Sequence, residues 1–250
     1  MNRTVHQEKP SLLGKALILM TSYYGPFYDD GDNTGACYPE IFELFHILEN
    51  NGFDVEFASD TGDYGFDCKS VREPYATKEA LDVLNDPESI LMIKLKTISR
   101  LSRLNPNDYD AVIVSGGYGC YFNYSHCKDG QGFMKAMFNK DKVIATVAEG
   151  VLLLACTTRD DGHTLCWNRR ITGCTWRDSI QSGVHDVMKK LHFPSTEDIA
   201  KESGAIFKSS PVYHTGGFVI EDGNIITGSN TNSAEAVAKQ VLKTLKKQAF

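Results

Sequence analysis

No apolar run in this 250-residue chain reaches the roughly 18 residues that a membrane-crossing helix needs, so no span is expected. The opening stretch, MNRTVHQEKPSLLGK, lacks an apolar segment followed by a small-residue cleavage site, and a secretory leader is not expected either. The seven cysteines are odd in number and lack framework spacing, which favours reduced thiols and a cytoplasmic location over disulfides. They form no C-x-x-C pair and show no ligand spacing with histidine, so neither a metal nor another cofactor is expected. A basic run is missing and the net charge is -6, which argues against nucleic acid as the main partner and leaves a small molecule or another protein. Internal repeats and low-complexity tracts are absent too.

What is present is an ordinary globular composition, 42% hydrophobic and 23% charged, long enough for one well-buried α/β domain. Residues 1–14 read as a loose polar tail and 15–250 as the domain. KALILMTS (15–22), DVEFAS (54–59), YDAVIVS (109–115) and KVIATV (142–147) are short, nearly continuous apolar runs, the pattern of strands covered on both faces. Between the first two, Ile41, Phe42, Leu44, Phe45 and Leu48 recur at helical spacing until Gly52. Further helices are expected near GQGFMKAMFN and GVLLLACT, and a last one in NSAEAVAKQVLKTLKK, whose lysines gather at its C-terminal end. HTLCWNRRITGCT and GAIF read as short strands, and GFVIEDGNIITGS as a hairpin turning at Asp222-Gly223. Residues 70–107, with Pro87 and Pro106 as breakers, read as a helical insertion over one sheet edge. The fold class is therefore α/β, flavodoxin-like, with a mainly parallel central sheet and helices on both faces.

In such sheets ligands bind beyond the carboxyl ends of the strands. Three loops converge there: 23–40, 115–127 and 148–150. The last is a strand-to-helix elbow, KVIATV-AEG-VLLLA, the kind of turn that thrusts a nucleophile into a cleft and aims free helix N–H groups at the same space. A cysteine there would be activated by the helix end, but this chain has Ala148, followed by Glu149. Gly116 and Gly117 can present bare backbone N–H groups to a developing oxyanion, or form an ordinary turn. Glu40, in the first turn of its helix, either complements the helix dipole or acts as a proton carrier beside the elbow. Tyr23, Tyr24, Phe27, Tyr118, Tyr121 and Trp176 are candidates for the pocket wall or for packing, and His214 for either. Cys37, Cys120 and Cys174 lie near the same loops. Each could replace the missing thiol, or join His126 at a metal, but small buried hydrophobe is the ordinary reading for each.

Several stretches carry a resemblance: MTSYYGPFYDDGDNTGACYPEIFELF, DYDAVIVSGGYGCYFNY, VIATVAEGVLLLA, RRITGCTW and DGNIITGSNTNSAEAVAKQVL. In that order, over nearly the whole chain, they resemble the ThiJ/PfpI superfamily of the class I glutamine amidotransferase-like fold, on its heat-shock chaperone-like, glyoxalase III branch. The resemblance implies a cysteine-dependent enzyme, a lyase/hydratase or hydrolase, acting on a small reactive carbonyl or related electrophile. It also implies a homodimer. Glu40, Gly116 and Gly117 match the family pattern, with the N–H groups of Gly117 and Glu149 as the implied oxyanion donors. Ala148 stands where the family has cysteine, and Glu149 where histidine commonly follows. The acidic residue that follows the ITG-T segment in the glyoxalase branch has no clean match among Trp176, Arg177, Asp178 and Ser179. Two explanations of Ala148 stay open: a nucleophile removed by engineering, or natural loss leaving a stress-related binding protein or holdase. Glu149 would disfavour a neighbouring thiolate, so methylglyoxal is not assumed as the substrate.

Overall fold

The computed structural model describes residues 13–211 and 216–248. His214 and the first twelve residues of the expected tail lie outside them, and Gly14, assigned above to the tail, already belongs to the first strand.

Seven strands make the central sheet. From one edge to the other they are Val219–Asp222, Ile225–Gly228, Val143–Val147, Ala111–Val114, Gly14–Leu19, Phe53–Ser59 and Ser99–Arg100. Every neighbouring pair is parallel except the Val219–Asp222/Ile225–Gly228 hairpin. The hairpin turns on Gly223 and Asn224, one residue later than expected, because Asp222 still pairs with Ile225 and Gly223 supplies a φ of 65°.

Continuous apolar strands follow from burial on both faces. Ala16 and Ile18 join a core under the Tyr38–Asn50 and Ala234–Gln248 helices, with Ile41, Leu44, Leu48, Val237 and Val241. Leu17 and Leu19 point the other way, into a core with Met134, Met137, Leu153 and Leu154 from the Lys128–Asn139 and Val151–Cys156 helices.

Between Asn85 and Leu101 the expected insertion contains a short helix, Ile90–Leu95, and an edge strand, Ser99–Arg100, that was not foreseen. An earlier helix, Lys78–Asn85, is capped by Thr77, and Pro87 falls in the break between the two helices. Lys94 ties the insertion to the neighbouring strand through Asp54 (3.0 Å) and the Val55 carbonyl (2.9 Å). The strand expected in HTLCWNRRITGCT shrinks to Arg170–Ile171. It pairs with Ile206–Phe207 outside the main sheet, where two residues suffice to register the connection.

The first strand has Phe53–Ser59 on one side and Ala111–Val114 on the other. The chain order reverses at that crevice, the place where a parallel sheet leaves room for a ligand at its carboxyl end. Leu19, Val114 and Thr146 lie in register across three neighbouring strands, so the loops that follow them leave at the same level.

Candidate active site

The elbow forms as its sequence requires. Strand Val143–Val147 runs into a single 3-10 turn, Ala148–Gly150, and then the Val151–Cys156 helix. Gly150 is needed because a Cβ there would lie 2.4 Å from the Val114 carbonyl oxygen. Ala148 itself is held at φ 50°, a left-handed conformation that an alanine does not choose unaided.

Two buried carboxyl groups meet beside this alanine. Glu40 occupies the third position of the Tyr38–Asn50 helix and is fully buried. Its Oε2 accepts from the Gly116 N–H at 2.6 Å and its Oε1 from the Thr231 hydroxyl at 2.9 Å. Glu149 reaches back so that its Oε2 accepts from the Gly117 N–H at 3.0 Å. Burial, then the charge of Glu149, pushes Glu40 up to about 8. Burial likewise raises Glu149 above the ordinary carboxylate range. Successive N–H groups of the glycine turn thus serve successive carboxyls, and the expectation for the oxyanion donors changes. Both the Gly117 and the Glu149 N–H groups already face the Glu149 carboxyl, so a substrate oxygen would compete with it.

The turn is clamped from outside. Gly116 accepts from the Cys37 N–H (3.1 Å), Gly119 donates to Gly35 (3.4 Å), and a Cβ on Gly117 (φ 113°) would lie 2.3 Å from the Gly35 carbonyl. The loop after the first strand is therefore laid directly on the glycine turn, which brings Cys37 and Glu40 to the elbow.

Of these groups Cys37, Gly117, Glu149 and Thr231 line a cavity of about 360 Å³, walled also by Tyr118 and Cys174, and Glu40 is joined to that wall through Thr231. A shallower depression of about 950 Å³, ringed by Lys239, Lys243, Lys246 and Lys247, lies away from them between two helices and holds none of the candidate groups. Tyr118 is on the cavity wall, its hydroxyl 2.9 Å from that of Ser182. Trp176 does not: its indole N–H donates to Asp198 at 2.8 Å and its ring meets His185 edge-on. Of the other loop aromatics, Tyr23 stacks on Phe122, Phe27 on Tyr118 and Tyr121 on Phe193, while Tyr24 is exposed. Asp178 touches the cavity, but its carboxylate accepts from the Thr175 N–H and hydroxyl at 2.7 and 2.6 Å, closing a helix cap.

Cys120 is buried and turned toward the Ser115 carbonyl, a packing position. Cys37 and Cys174 are half-buried and line the cavity, Cys37 near Glu40 and Cys174 near Glu149. His126 is exposed, and among the described residues no cluster of three or more acidic, histidine or cysteine side chains could hold a metal.

Sequence reasoning missed Tyr28, Asp67 and Thr231. Asp67 accepts from Tyr28 (2.8 Å), Thr34 (2.7 Å) and the N–H groups of Lys69 and Ser70 (2.9 and 3.0 Å), pinning one cavity wall. An aspartate bonding two residues ahead is a readable turn signal, whereas its hold on Tyr28 and Thr34 depends on tertiary approach. Thr231 had no local signal beyond a polar loop after a strand.

The DJ-1/PfpI family model matches residues 35–244. A Schizosaccharomyces pombe protein provisionally named glutathione-independent glyoxalase hsp3105 is 50% identical over 238 residues, covering 95% of this chain and 93% of its own. Glyoxalase 3 of Candida albicans is 31% identical over 229 residues, covering 91% and 97%. The crystal structure of glyoxalase III from Candida albicans superposes with a TM-score of 0.87 at 31% identity, covering 93% of this chain and 98% of that one.

Proposed function

Since the chain belongs to the DJ-1/PfpI family, we propose that its cavity takes a small reactive carbonyl compound of the α-oxoaldehyde kind, in a glyoxalase III-like reaction. Glu40 moves the proton in this reading. The observation that carries it is the elbow: Ala148 held at φ 50° beside a fully buried carboxyl that titrates near 8. Backbone strain of this kind persists where the surroundings enforce it, and it collects at sites that position a reacting group. A carboxyl titrating near neutrality is suited to taking up and returning a proton.

A thiol at position 148 would project from the elbow toward Glu40 and add to the carbonyl carbon. The carbonyl oxygen would compete with the Glu149 carboxyl for the N–H groups expected to hold it. The test is Ala148→Cys with methylglyoxal, following consumption and intact mass. We expect turnover or a hemithioacetal in Ala148→Cys, reduced about 100-fold or more by adding Glu40→Gln. Neither consumption nor adduct from a folded Ala148→Cys protein would overturn the reading.

Ala148 itself favours a second reading, a non-catalytic binding protein or holdase. Suppression of a client's aggregation by the unmodified chain, unchanged in Ala148→Cys, would support it.

A further inference from the structure

The elbow lacks a thiol, yet the cavity does not. Cys37 lies on its wall, at the N-cap of the 13-residue Tyr38–Asn50 helix, with its side chain free of any capping bond. Its Sγ is 3.6 Å from the Thr231 hydroxyl oxygen, and that hydroxyl donates to Glu40 Oε1 at 2.9 Å. The direction of the second bond sets the first. When Glu40 is ionised, the one hydroxyl proton of Thr231 goes to it, and toward Cys37 the hydroxyl can then only accept. The S–H of Cys37 therefore points down a chain that ends on a carboxyl group.

We propose that Cys37 is the nucleophile of this cavity, with Thr231 relaying its proton to Glu40. This rests on the reading that the cavity takes small carbonyl compounds. In the step, Cys37 Sγ bonds to the aldehyde carbon as the C=O π bond breaks. The thiol proton passes to Thr231 while the Thr231 proton passes to the Glu40 carboxylate, and the carbonyl oxygen takes a proton from solvent. The product is a hemithioacetal, with no change of oxidation state, and release of one proton from Glu40 to solvent restores the start. The helix N-terminus favours the developing thiolate.

The relay also explains how a thiol that resists ionisation could react. Burial first, then the charge of Glu40, holds the Cys37 thiol well above its ordinary range, so direct ionisation near neutrality is suppressed. The titratable groups facing it are Glu40 on its own helix, Glu149 on the elbow and Tyr28 on the preceding loop. Reactivity should then follow Glu40, rising with pH through about 8 as that carboxyl becomes able to accept.

The test uses the full chain and iodoacetamide, with peptide mass mapping of every cysteine from pH 6 to 9, with and without methylglyoxal. Cys174, equally half-buried on the same wall, is the internal reference. We expect Cys37 to be alkylated about 10-fold faster than Cys174, with methylglyoxal slowing Cys37 alone. Thr231→Val should slow Cys37 about 10-fold and remove the rise near pH 8, leaving Cys174 unmoved, and Thr231→Ser should restore both. Equal rates at the two cysteines, or a Thr231→Val protein with unchanged rate and pH profile, would overturn the relay. The two readings fail separately. Turnover by Ala148→Cys without selective reaction at Cys37 sinks the relay and keeps the carbonyl reading. Thr231-dependent alkylation of Cys37, with no methylglyoxal protection and an inert Ala148→Cys, keeps the relay and sinks the carbonyl substrate.

Discussion

Glu40 binds a proton more tightly in the fold than it does in water, and the stability of the protein should register this. Its folded value of about 8 lies above the ordinary 4.5 of an exposed glutamate. Between those two values the folded chain holds a proton that the unfolded chain has released, so stability falls as pH rises through the window. Glu40→Gln keeps an acceptor for the Gly116 N–H and removes the titration. We expect its stability relative to the parent to improve between pH 5 and pH 8, by up to a few kcal/mol at about 1.4 kcal/mol per unit. Urea melts at the two pH values decide this, and an unchanged difference would mean that Glu40 titrates normally. The residue itself was legible in the sequence, because a glutamate in a first helical turn ahead of an elbow is a readable pattern. Its pairing with Glu149 was not. That pairing follows from two adjacent N–H groups in the glycine turn, each taken by a carboxyl from a different segment.

At the scale of the element, the strand-turn-helix elbow was legible because it is a local object: five buried residues, a turn ending in glycine, then a buried helix. The glycine has a tertiary reason that no local pattern shows, the Val114 carbonyl 2.4 Å from where its Cβ would be. Gly150→Ala should therefore cost about 1–3 kcal/mol as the neighbouring strand shifts, measurable as a lowered denaturant midpoint. A midpoint equal to that of the parent would show that the elbow has slack. The insertion was read as helical, and its helices are there, yet Ser99–Arg100 became the edge strand. Two residues carry too little periodicity to be seen, and only the exposed edge of Phe53–Ser59 recruits them. Trp176 was misplaced for a similar reason. Its position in the chain is close to the cavity, but Asp198, 22 residues on, claims its indole N–H.

At the scale of the whole molecule, the resemblance implies a homodimer, and sedimentation should show a species near twice 27.8 kDa. A single species at 27.8 kDa would contradict it. Strand order belongs to this scale too. The run of apolar strands alternating with amphipathic helices determined by itself that the sheet would be mainly parallel and covered on both faces, since no other arrangement buries both sides of such strands. It also determined that the elbow would carry no thiol and that Glu40, Gly116 and Gly117 would lie at the carboxyl end of the sheet. Only the tertiary structure decided what these groups touch. Residues 37, 149, 174 and 231 are brought to one cavity, and 40 and 116 to the hydrogen bonds beside it, by five separate segments, and hydrogen bonds between segments have no signature in local periodicity. The direction in which Thr231 donates, and hence where a proton from Cys37 can go, is a consequence of that convergence alone.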